Sequence, residues 1–250
     1  MRAGEAGSNF VHPTQVICML HRLGLSLVVV FLMAQPAAAA VELTPTEQRW
    51  LSAAVPVLAF ARDRQLPLDI VVRPQAEPGD TPLGMAYVGG RCKLVLAMRG
   101  NPEAQATLDR IEPGLLGPVV EAIAAHELAH CWRHLQDTWG TLPVGVPESA
   151  GQHRVTAEQA ELLQDMWRTR REEAYADLVG LAWTLQRNPE RYEAVHAWNV
   201  GLRAQQAVPT GPHDTRKWVS LAHDKAAFKP AASVFEQVEA LWTAGLQLAW

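Results

Sequence analysis

The stretch from Leu115 to about Leu135 is the feature that most narrows what this chain can become. Val119, Ala122, Ile123, His126 and His130 recur at steps of three and four residues, so they share one face of a helix. That stripe begins apolar, as a core-facing helix should, and turns to imidazole partway along. Two histidines four apart project from the face one turn apart, so both can reach a single ion. Glu127 lies about 100° around the helix from His126. It stands close enough to act on a water held by the ion without being a ligand itself, which gives the spacing His126-Glu127-Leu128-Ala129-His130 its chemical meaning. Ala125, Leu128, Ala129 and Cys131 are uncharged, which suits a buried metal helix. The competing reading is an ordinary helix with surface histidines.

A catalytic zinc needs three protein ligands and an open position for water. The downstream run Arg171-Glu172-Glu173-Ala174-Tyr175-Ala176-Asp177 offers the third. Glu173 and Asp177 are again four apart, so Glu173 can bind the metal. Asp177 can accept a hydrogen bond from the second ring nitrogen of a ligand histidine, His126 being the natural partner. Glu172 is the rival ligand, but Ala176 stands where its matching carboxylate would be. The small Ala176 also allows two helices to approach closely. Against this stands a solvated acidic face paired with Arg170 and Arg171.

In this order, H-E-x-x-H and then E-x-x-A-D, the two motifs resemble those of the gluzincin metallopeptidases, in particular the group of CAAX prenyl proteases and HtpX-like membrane proteases. The resemblance implies a zincin-like fold with both motifs on neighbouring helices, one zinc ion per chain, and hydrolysis of peptide or protein substrates. It also implies a later loop carrying a histidine and an arginine near the site. This chain has His213-Asp214-Thr215-Arg216, so His213 or Arg216 would stabilise the developing oxyanion. A helix-capping Asp214 with incidental neighbours fits the same residues. Two departures stand out: those membrane proteases carry several spanning helices, and some exported relatives carry tetratricopeptide repeats. Neither pattern is visible here.

The start of the chain reads as an address. His21 and Arg22 precede an apolar run from Leu23 to Met33, Pro36 follows, and Ala38-Ala39-Ala40 supplies small residues for a signal peptidase. The expectation is a leader over 1–40, with Met19 a possible true start and Val41 the mature N-terminus. The run is short for a bilayer-spanning helix, which needs about 20 residues, although an uncleaved anchor is the alternative. Export, to the periplasm or beyond the cell, follows from the leader. Cleavage removes Cys18 and leaves Cys92 and Cys131, which can pair in an oxidising compartment or remain two buried thiols. The net charge of −4 offers no footprint for nucleic acid, and the mature chain is expected to have no membrane span.

The remaining elements follow from caps and breakers. Thr44-Pro45-Thr46-Glu47 opens a helix reaching about Arg64, kinked at Pro56. Leu68 to Arg73 reads as a strand. Met85–Val88 and Arg91–Met98 flank Gly89-Gly90 as a hairpin. Thr156 to Gln159 caps a helix reaching about Arg187, and Ser233 to Glu236 caps a last one. A few strands followed mostly by helices give an α+β class. The expectation is thus a single, mostly helical, zincin-like domain over 41–250, with a small antiparallel sheet before the H-E-x-x-H helix. Its strand Arg91–Met98 is the expected edge along which an extended peptide lies. The functional expectation is a zinc metallopeptidase with Glu127 as general base. The alternative is a zinc-binding, non-proteolytic module that binds partners in the cell envelope.

Overall fold

The computed structural model describes residues 42–146, 156–205, 208 and 211–248. The leader, its cleavage point and Val41 lie outside these residues. Helix α1 (Pro45–Asp63) opens with a complete capping box. The Thr44 hydroxyl accepts from the Glu47 amide at 3.2 Å, and the Glu47 carboxylate accepts from the Thr44 amide at 2.7 Å. Glu47 is fully buried, and its carboxylate also takes 2.9 Å and 3.2 Å bonds from Arg99, tying the start of α1 to the end of the sheet. The helix continues through Pro56.

Three strands follow: β1 (Leu68–Val72), β2 (Leu83–Val88) and β3 (Arg91–Leu96). The Gly89-Gly90 hairpin forms with both glycines at positive φ, 59° and 75°, as a two-residue turn of the primed kind requires. The sheet corrects two expectations. Its order is β1-β3-β2, with β2 antiparallel to β3 but β1 parallel to it, so the sheet is mixed rather than antiparallel. The strand beginning at Arg91 is central and therefore offers no edge; the edges are β1 and β2. Alternation along β3 explains why it sits in the middle. Cys92, Leu94 and Leu96 point into the core, while Arg91 and Lys93 on the other face pair with Asp69 of β1. That cross-strand charge match belongs to the parallel partner.

The rest is mostly helix, giving a mixed α+β architecture. After α2 (Pro102–Arg110) comes α3 (Leu116–Leu135), whose buried residues include Val119, Val120, Ala124, Ala125, Leu128 and Ala129. Cys131 of α3 and Cys92 of β3 form a disulfide with Cα atoms 5.6 Å apart, fastening the helix to the central strand. The long α4 (Ala157–Arg187) packs extensively on α3. Ala176 is fully buried, and at Gly180 the contact is close enough that an added Cβ would stand 2.6 Å from the Ala122 carbonyl oxygen. No side chain larger than hydrogen fits there.

Helix α5 (Tyr192–Ala204) and the short α6 (Arg216–Leu221) close the far side of α4. The segment opened by Ser233 is two helices, α7 (Val234–Gln237) and α8 (Glu239–Gln247), with a break at Val238. Among the described residues, no helix is long and apolar enough to cross a membrane.

Candidate metal centre

Helix α3 delivers two imidazoles and α4 a carboxylate to one point. The His126 and His130 Nε2 atoms are 3.1 Å apart. Glu173 Oε2 lies 3.4 Å from the first and Glu173 Oε1 3.3 Å from the second. These three residues form a group able to hold a metal ion. Ligand atoms about 2.0–2.1 Å from a tetrahedral centre would stand roughly 3.3–3.4 Å from one another. The imidazole pair stands close to that edge length, each imidazole has a different Glu173 oxygen within 3.4 Å, and one ligand atom from each residue lies within 4.8 Å of the others, so the three can close on a single ion.

The ring of His126 is oriented from behind. Its Nδ1 donates to Asp177 Oδ1 at 3.0 Å, which turns Nε2 toward Glu173 as the nitrogen that would take an ion in place of a proton. Asp177 is almost completely buried and shares its carboxylate among three donors. Arg203 of α5 gives two bonds, at 2.7 and 2.5 Å, and the Thr215 hydroxyl gives one at 2.5 Å. The same Arg203 lies 3.6 Å from Glu173. His130 lacks such a brace: its Nδ1 is buried without a hydrogen-bond partner.

Crowding of these groups controls their protonation. Burial alone would depress the His126 imidazolium, but its bonds to Asp177 and Glu173 outweigh that and raise it to about 10. Burial would raise both carboxyls, but both end low. The two imidazoles hold Glu173 well below the usual carboxylate range, and Arg203 with His126 does the same for Asp177. Such a cluster wants a positive charge at its centre, either a proton or a metal. Burial moves the Glu127 carboxyl the other way, above its ordinary value, against the pull of His126 and His130.

Each residue expected from sequence has a definite place. Glu172 is turned away from the imidazoles and accepts two 2.8 Å bonds from Arg133, both side chains buried. With Glu172 and Asp177 both buried, a solvated acidic face on α4 is ruled out. Arg170 is buried too and donates to the Gly211 carbonyl at 2.8 Å. His213 reaches the rim, 3.8 Å from Glu173 and 45% exposed. Arg216, 53% exposed, instead forms a two-pronged pair with Asp214 at 2.7 and 2.9 Å.

The arginine that touches the site is therefore Arg203, which sequence reasoning missed. A signal for it exists. Tyr192, Val195, His196, Asn199 and Arg203 form the buried stripe of α5, so an arginine occupies a core position and needs a buried acid to face. Compared with protein families, curated proteins and solved structures, the chain finds no match.

Proposed function

We propose that this chain is a zinc-dependent peptide hydrolase of zincin-like build, with His126, His130 and Glu173 as the ligands. The observation that carries the reading is the convergence of those three side chains, one ligand atom of each within 4.8 Å of the others, with a further glutamate, Glu127, beside them. A site that merely stored metal would have no use for Glu127. The two-histidine, one-carboxylate set suits zinc. When bound, zinc supplies Lewis acidity, lowering the pKa of a water and polarising a carbonyl.

The remaining chemistry falls to the protein. Glu127 takes the proton from the attacking water and passes it to the nitrogen of the leaving amine. A carboxyl raised by burial is suited to both halves of that transfer. Asp177 fixes the His126 tautomer, and Arg203 keeps Asp177 ionised and in place. His213, half-exposed at the rim 3.8 Å from Glu173, would be the donor toward the oxyanion. The leader-like segment at 1–40 supports export, which fits the Cys92–Cys131 disulfide.

The test is metal analysis combined with activity on an unfolded protein such as reduced casein. The purified chain should hold one zinc, and a chelator should abolish cleavage. Glu127→Gln should keep the zinc and lose hydrolysis by about 10²-fold or more. Equal activity in that variant would remove Glu127 from the mechanism. A chain that binds zinc but cleaves nothing is a binding module.

A further inference from the structure

Next to the metal-ligating group stands a column of flat side chains that the chemistry above does not use. The His134 ring is stacked on Trp139 at 4.2 Å and 7°, and on Tyr87 of β2 at 4.9 Å and 5°. Trp139 in turn meets the ring of His130 edge-on at 5.4 Å. The column therefore runs from the sheet edge to a ligand histidine. Trp139 is only half-buried, and Tyr87 is exposed.

Trp139 differs from the buried tryptophans of the core. Trp50, Trp183, Trp218 and Trp242 are buried, and each gives its indole N–H to a carbonyl or carboxylate. Among the described residues the Trp139 N–H has no such partner, and it is not one of the buried unsatisfied groups, so it meets solvent. A large half-covered ring with a free donor is the kind of group found at recognition surfaces.

The turn that carries it is held with unusual investment. The buried Arg133–Glu172 pair holds the two residues that follow Trp139. Glu172 accepts from the Gly140 amide at 2.9 Å, and Arg133 donates to the Thr141 carbonyl at 3.2 Å. The Thr138 amide and hydroxyl both bond the Arg133 carbonyl. Gly140 has φ of 75°, and an added Cβ would meet Arg168 at 2.7 Å. A desolvated ion pair is costly to bury and adds little net stability. Here it fixes one partly open indole at a set distance from His130, which is preorganisation for a ligand.

We infer that Trp139, backed by His134 and Tyr87, is the wall of a subsite that receives a flat aromatic side chain next to the bond to be cut. This rests on the metal-centre reading above and names the substrate class for it: peptides bearing phenylalanine, tyrosine or tryptophan beside the scissile amide. Ring-on-ring contact supplies the preference.

The experiment uses two hydroxamates of one backbone, one with a benzyl and one with a methyl side chain, titrated calorimetrically into the zinc-loaded full chain. The wild-type protein should bind the benzyl compound about tenfold more tightly, Trp139→Ala should cut that preference to about twofold or less, and Trp139→Phe should keep most of it. Zinc content and affinity for the methyl compound should stay unchanged throughout. If Trp139→Ala does not fold, Trp139→Leu, apolar but not flat, carries the same comparison. A benzyl preference that survives loss of the indole, or none in the wild type, overturns the subsite and leaves the metal centre standing. Failure of both hydroxamates to bind, or absence of zinc, overturns the metal centre as well.

Discussion

His126 and Asp177, 51 residues apart in the chain and on different helices, are joined by a 3.0 Å hydrogen bond from Nδ1 to Oδ1. The bond settles which imidazole nitrogen is free for an ion, so coordination at α3 depends on the position of α4. Asp177→Ala should weaken zinc binding by about 10–100-fold. Competition with a chromophoric chelator reads this directly. His130, whose Nδ1 has no partner, has no equivalent residue to lose.

Arg203 and Arg216 make a matched pair for comparison. Arg203 is buried against Asp177, whereas the half-exposed Arg216 pairs with Asp214 at the surface. Arg203→Met strands a buried carboxylate and should cost about 3–5 kcal/mol of stability. Arg216→Met should leave the urea midpoint essentially where it was, because exposed pairs are screened. Equal effects from the two would mean that Asp177 does not depend on Arg203.

Reduction should loosen the domain at a predictable place. The disulfide joins Cys92 to Cys131, the residue after ligand His130, and closes a loop across a sequence separation of 39. Replacing both cysteines with serine should cost about 2–4 kcal/mol in equilibrium denaturation. Zinc affinity measured on the same variant should fall with it, since α3 would lose its tie to β3.

Acid should act on the start of α1. The hydrogen bond from Arg99 holds the Glu47 carboxyl below its ordinary 4.5, against its burial and with help from the Thr44 amide. The folded-state value is depressed, so the stability from this group is present above pH 4.5. It is lost as pH falls through the folded value, because the unfolded chain takes up the proton first. Glu47→Gln should lower the melting temperature at neutral pH and flatten its decline between about pH 5 and 3. Parallel wild-type and variant curves across that window would contradict the assignment.

The metal helix was readable because its signal is local: Val119, Ala122, Ile123, His126 and His130 mark one face whatever surrounds them. Glu173 and Asp177 were readable for the same reason, the four-residue step that places two side chains together. What the residues did not disclose is what depends on partners remote in sequence. A parallel or antiparallel companion for β3 demands the same alternation of residues, so the pairing of β1 came only with the tertiary fold. The tight contact of Gly180 with the Ala122 carbonyl carried no such signal, because it depends on the crossing geometry. Arg203 carries no motif of its own; its partner is on another helix.

Glu172 and Glu173 are adjacent, and each has a separate duty: one anchors the Trp139 turn through Arg133 and Gly140, the other faces the two imidazoles. Successive residues of a helix point about 100° apart. If α4 were threaded one position out of step, Glu172 would swing toward the imidazoles and the turn would lose its tether in the same movement. The doublet thus works as an alignment key. A helix shifted by one residue forfeits both duties together.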